Sequence, residues 1–143
     1  MNGYGKRILV VDDDEQIRLL LRLLLEQDGY SVHMAAGGDE ALDEMMKRRF
    51  DVILTDVEMP RTTGFEVLSF CRAIFPEMPV VLMSALAEEF RDPELERGAS
   101  AFLEKPFDGD RLLRVLREAC RKTAGERAGV AMDSGGKDES SLL

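Results

Sequence analysis

The chain has 143 residues, 45% of them hydrophobic, a formal net charge of −9 and one histidine, His33. One domain with a real core is the expectation at this length. The acidic balance excludes a surface of clustered Lys and Arg for nucleic acid, and a lone histidine excludes a His-based triad or a His-rich metal cage. The longest apolar runs are Ile8–Val11 and Val80–Met83, so no membrane span is expected. The opening MNGYGKR has no apolar stretch of a secretory signal. Cys71 and Cys120 stand apart from any CxxC spacing and are expected as reduced thiols on helices of a cytoplasmic protein.

In chain order, two periodicities alternate. A β-type run at Arg7–Val11 precedes a helical stretch, Glu15–Asp28, whose Ile17, Leu20, Leu21 and Leu24 recur at i, i+3, i+4 and i+7 before Gly29 stops it. Ser31–Met34 is the next strand and Asp39–Arg49 the next helix, with Ala41, Leu42, Met45 and Met46 inward. Val52–Thr55 is followed by helix Phe65–Phe75, ended at Pro76. Val80–Met83 and Ala101–Leu103 complete the strands, and Asp108–Lys122 is the last helix, with Leu112, Leu113, Val115 and Leu116 apolar. His33 falls in a short strand and reads as structural.

Repeated βα units imply right-handed crossovers and a parallel sheet covered on both faces. The near-continuous apolar runs ILVV and VVLM suit strands buried on both sides. The fold class expected is therefore α/β, a doubly wound sheet of five parallel strands; taken as the flavodoxin-like (βα)5 fold, its strand order is 2-1-3-4-5. Residues 1–122 form the domain, its core about residues 6–122. From Thr123 the chain is rich in Gly, Ser and charge, and residues 123–143 read as a disordered tail or linker.

Such sheets bind ligands at the carboxyl ends of the strands. Asp12, Asp13 and Asp14 follow the first strand, Asp56 the third, Ser84 the fourth and Lys105 the fifth. In the expected strand order they converge on one rim. Clustered carboxylates repel unless a cation sits among them, and a hard cation such as Mg²⁺ takes one or two carboxylates plus waters and phosphate oxygens. Asp14 and Glu15 read as the start of a helix, where acids complement the positive end of the dipole.

These pieces together resemble the receiver domain of two-component response regulators. The resemblance rests on Asp12-Asp13 after a VV strand, on Asp56 closing DVILTD, on Pro60 and Gly64, on Ser84-Ala85, and on Lys105-Pro106-Phe107. It runs from about Lys6 to Lys122, and the chain resembles the single-domain chemotaxis-type regulators. It implies that Asp56 accepts a phosphoryl group from a sensor histidine kinase or a histidine phosphotransfer protein. Asp12, Asp13, Asp56 and the backbone carbonyl of Glu58 would hold Mg²⁺, or Mn²⁺ in its place. Lys105 would reach a phosphoryl oxygen as a point charge, and Ser84 would donate its hydroxyl to the phosphoryl group. Phe102 would turn inward as Ser84 moves; plain core packing is the competing reading. The changed surface would serve an output partner or a phosphorylation-dependent homodimer.

Three features depart from the pattern or go beyond it. Pro93 interrupts the segment between Ser84 and Lys105, so only a short, mobile helix, with Asp92 as cap, is expected there. Glu58, two residues after Asp56, reads as a metal ligand, as a group that turns an attacking water, or as a solvated loop charge. Leu19 and Leu23 lie off the apolar stripe of the first helix and offer a docking patch for the kinase, unless they are ordinary exposed leucines.

Two other functions compete. An aspartyl-phosphate phosphatase of the haloacid type needs Asp-x-Asp at the first strand end, and here Asp12 is followed by Asp13-Asp14. A pseudo-receiver, binding partners without phosphorylation, usually lacks the acceptor, a metal acid or the lysine, and all are present. The reading is thus a phosphoacceptor module with slow self-dephosphorylation and no external substrate; it is either a stand-alone protein, which the acidic charge and short tail favour, or a piece of a longer regulator or hybrid kinase.

Overall fold

The computed structural model describes residues 3–86, 89 and 91–122. Strand β1 (Arg7–Val11) leads to helix α1 (Glu15–Gln27), β2 (Ser31–Ala35) to α2 (Gly38–Lys47), β3 (Val52–Asp56) to α3 (Gly64–Ile74). Then come β4 (Val80–Ser84), β5 (Ala101–Glu104) and α4 (Gly109–Arg121). The strands pair in parallel in the order β2-β1-β3-β4-β5, the order expected of the flavodoxin-like fold.

The continuous apolar strands are read by both faces of the sheet. Ile8 and Val10 enter one core with Leu21, Leu25, Leu112 and Leu116 of α1 and α4. Leu9 and Val11 enter the other, with Ala41, Met45, Val67 and Leu68 of α2 and α3. β3 and β4 alternate likewise, and all ten of their residues are buried. Each large aliphatic side chain so buried contributes about 1.5–3 kcal/mol.

Helix ends are set locally. The Asp14 carboxylate accepts hydrogen bonds from the Gln16 and Ile17 amides and so caps α1, with Glu15 in its first turn. Asp108 caps α4 through the Arg111 amide. Thr63 caps α3 in a reciprocal pair with Glu66, whose side chain returns to the Thr63 amide.

Several expectations need correction. Leu20, placed on the inward stripe, is 64% exposed; the buried positions are Leu21 and Leu25, with Ile17 and Leu24 packed beside them. Leucines on nearly every face of α1 leave the periodicity unable to choose which one meets the sheet. Met46, also placed inward, is 67% exposed, one residue before α2 ends.

The Pro93 segment forms no α-helix among its described residues. Asp92 acts as the expected cap, its side chain accepting from the Glu94 amide at 3.0 Å. Its carbonyl accepts from the Leu95 and Glu96 amides. The result is a turn rather than a helix, closed at Gly98 with φ +93°. The described residues therefore hold four α-helices, where five βα units were expected. The tail expected over residues 123–143 lies outside the described residues.

Among the described residues no helix is long and apolar enough to cross a membrane. Neither Cys71, buried on α3, nor Cys120, half-buried on α4, forms a disulfide among the described residues. His33 is half-buried, edge-on to Phe50 and 3.4 Å from Arg48, consistent with its structural reading.

Candidate functional site

Strand order reverses between β1 and β3, and the carboxyl ends of these two strands carry the acids. Asp12, the first residue beyond β1, is 1% exposed. Its Oδ1 accepts the Asp14 amide at 2.9 Å, while its buried Oδ2 has no hydrogen-bond partner. Arg18 donates to the Asp12 carbonyl at 2.7 Å and so ties the loop back to α1. Asp13 beside it is exposed.

Asp56 ends β3 and is 4% exposed. Gly64 explains how α3 can start so close to it. A Cβ at Gly64 would stand 2.4 Å from the Asp56 carbonyl oxygen, so any side chain there would push the strand end away.

β4 ends in buried Ser84, and β5 leads into Lys105 across the sheet, the Lys105 amide donating to the Ser84 carbonyl at 2.8 Å. The Lys105–Pro106 peptide is cis. The Lys105 ammonium lies 3.2 Å from Asp56 Oδ1 and 3.7 Å from Asp12 Oδ2.

Burial dominates the electrostatics. It pushes the Asp56 pKa up to about 6, against the pull of the Lys105 charge and with the repulsion of Asp12 added. Burial raises Asp12 as well, opposed by the Asp14 amide and Lys105 and assisted by Asp13 and Asp14. One cation for three acids leaves the rim short of positive charge.

Asp12, Asp13 and Asp56 each offer a carboxylate oxygen, and these atoms lie within 4.8 Å of one another. An all-oxygen donor set with an orphaned, buried Asp12 oxygen fits a hard divalent cation.

The remaining expected residues fall around this centre. Glu58 is exposed, yet its carboxylate accepts a 2.5 Å hydrogen bond from the Ser84 hydroxyl, and the Leu86 amide donates to the same hydroxyl oxygen at 2.9 Å. Phe102 sits opposite Leu82 in the β4–β5 register, two pairs short of the rim, and packs against the α2–α3 core. The Arg91 guanidinium lies 3.8 Å over its ring and pairs with Glu96 at 3.1 Å. Leu19 and Leu23 are 49% and 60% exposed on α1, and exposed Leu20 joins them.

Sequence reasoning missed the Thr63–Glu66 capping pair, although T-x-x-E ahead of an apolar run is its signal. It also missed Arg18, Arg91 and the Glu58–Ser84 bond. Arg91 and the Glu58–Ser84 bond have no local signal, because each depends on where a loop returns to the sheet.

Comparison with known proteins places these observations. The family model described as the response regulator receiver domain matches residues 8–117. The response regulator MprA of Mycobacterium tuberculosis (strain H37Rv) is 40% identical over 127 residues, covering 88% of this chain and 55% of that protein. Its counterpart in Mycolicibacterium vanbaalenii is 40% identical over 130 residues, covering 87% and 56%. The chain thus spans about half the length of these curated relatives.

Among solved structures, the response regulator TrrA of Thermotoga maritima in complex with Mg²⁺-BeF superimposes with a TM-score of 0.75 at 32% identity, covering 80% of this chain and 98% of that one. The chemotaxis response regulator CheY4 of Vibrio cholerae gives 0.71 at 35% identity, with the same coverage of 80% and 98%.

Proposed function

This chain belongs to the response regulator receiver domain family of two-component systems, and on that premise we propose that Asp56 is its phosphoacceptor, in a reaction that depends on Mg²⁺, with Mn²⁺ able to take its place. The observation that carries the proposal is the buried Asp56 carboxylate at the strand-order reversal, in contact with Lys105 and within ligand reach of Asp12 and Asp13.

In the proposed reaction an Asp56 carboxylate oxygen attacks phosphorus in a phosphohistidine of a sensor kinase or phosphotransfer protein. An O–P bond forms, the P–N bond breaks, and the imidazole leaves. Phosphoryl transfer is catalysed by positioning and by charge aimed at the transferring oxygens. Lys105 supplies one such charge from a side already in contact with the acceptor. Asp12, Asp13, Asp56 and the Glu58 carbonyl would hold the cation, which when bound neutralises charge on the phosphoryl oxygens.

Ser84 is suited to the readout, since it carries a buried hydroxyl with a proton to donate at the end of the strand paired with β3. Its movement would free Phe102 to turn inward and change the β4–β5 surface, the place for an output partner or a second copy. We assign this module to residues 1–122 and give it no external substrate. The TrrA complex with Mg²⁺-BeF supports the cation and a phosphoryl-like occupant by likeness.

Incubation with radiolabelled acetyl phosphate tests the reading. Label is expected on Asp56, lost in Asp56→Asn and lost when divalent cations are chelated. Label on any other residue, or labelling indifferent to chelation, overturns it.

A further inference from the structure

Ser84 has one hydroxyl proton, and Glu58 holds it. The Ser84 Oγ lies 2.5 Å from Glu58 Oε2, and the Leu86 amide occupies the same oxygen as a donor at 2.9 Å. Short O–H···O⁻ bonds of this kind are the strong, charge-assisted class. Glu58 is otherwise exposed, while Ser84 is 1% exposed. A side chain with free access to water therefore reaches back onto a buried hydroxyl at the rim of the acid cluster.

We propose that Glu58 is a positioning residue that reserves the Ser84 hydroxyl in the unmodified protein, so that a phosphoryl group on Asp56 must displace Glu58 before Ser84 responds. This rests on the reading of Asp56 as acceptor. A hydroxyl donates a single hydrogen bond. The Glu58 carboxylate and a phosphoryl oxygen are both anionic acceptors, so they compete for one proton and repel each other. Glu58 also lies near enough to Asp56 to disfavour added negative charge there. The contact joins the loop after β3 to the end of β4, so its release couples the two strand ends that the phosphoryl group would touch.

The consequence is a threshold. Part of the affinity of the modified state is spent in removing Glu58, and a variant without the carboxylate should respond to less phosphoryl donor. The role differs from metal binding and from water activation, both of which would act whether or not Ser84 were present.

Beryllofluoride with Mg²⁺, titrated by calorimetry into the wild type, Glu58→Gln, Ser84→Ala and the double variant, separates these roles. Glu58→Gln is expected to tighten beryllofluoride binding about tenfold, the scale of one charge-assisted hydrogen bond. In the Ser84→Ala background the same change should tighten binding by clearly less, because only the charge repulsion remains once the shared hydroxyl is gone. Equal tightening in both backgrounds, or none in the first, overturns the proposal.

The metal-free protein offers a second readout. The Leu86 amide proton resonance should shift in Glu58→Ala, which removes the acceptor and frees the hydroxyl to reorient; an unmoved resonance also overturns the proposal. No uptake by the wild type would defeat the acceptor reading and the competition with it, while the Leu86 signal would still report whether the Glu58–Ser84 bond forms.

Discussion

Lys105 and Asp56, 49 positions apart in the chain, meet at 3.2 Å where β3 and β5 end. The same ammonium is the nearest cation to Asp12 Oδ2, an oxygen with no hydrogen-bond partner. Lys105→Met would leave two buried carboxylates with no counter-charge. Removing one partner of a buried pair costs on the order of 3 kcal/mol. At neutral pH in the absence of metal, denaturant titration should show a loss approaching that size, and labelling by acetyl phosphate should fall at least about tenfold. Unchanged stability together with unchanged labelling would remove Lys105 from the site.

Asp56 predicts a pH dependence with a definite sign. Its folded pKa, about 6, stands above the ordinary carboxylate value of 3.8 because burial disfavours the charge. A group raised in this way stabilises the fold fully at pH below the unfolded value, and that contribution is lost as pH rises through the folded value. In metal-free buffer Asp56→Asn should therefore be more stable than the wild type at pH 7.5, on the order of 2 kcal/mol. The gain should shrink as pH falls below 6 and vanish near pH 4. A gain that persists at pH 4 would point to packing instead of charge.

Leu19, Leu20 and Leu23 form an apolar patch on α1, the helix that starts directly beyond Asp12–Asp14. As a docking patch for the helical histidine domain of a kinase, it should matter for one donor and not the other. Leu19→Ser with Leu23→Ser should slow transfer from the phosphorylated kinase about tenfold or more, while labelling by acetyl phosphate stays within about twofold. Equal loss with both donors would show that the leucines serve the fold.

Gly64 makes a stability prediction tied to the site. Gly64→Ala puts a methyl against the Asp56 carbonyl and the Val57 backbone, which have no flexible side chain to yield. Overpacking of this kind costs about 1–3 kcal/mol. Thermal unfolding should report that loss, and phosphorylation should slow as well, because the shift falls on the acceptor's own backbone. Thr63→Ala, which removes only the cap of α3, should cost about 1 kcal/mol and leave the labelling rate alone.

Much of the fold was legible because the code for buried parallel strands is redundant. ILVV and VVLM are apolar at every position, and both faces of the sheet use them. The acids, Ser84 and Lys105 stood at strand ends, so strand order alone brought them to one rim. The helix over Glu15–Gln27 was equally plain in outline, but not in rotation: with leucine on nearly every face, only the packed sheet chose Leu21 and Leu25 over Leu20.

Local chemistry also wrote the start of the Pro93 segment, where Asp92 caps the following amides. The pairings that refine the site were decided by the folded chain. Glu58 meets Ser84 across 26 positions and Arg91 covers Phe102, contacts between a loop and a strand whose separation in sequence carries no periodic signal. Short-range periodicity and capping act within a few residues and so can be read along the chain. A hydrogen bond from a loop to the end of another strand depends on how the strands pair, and exists only once the sheet has formed.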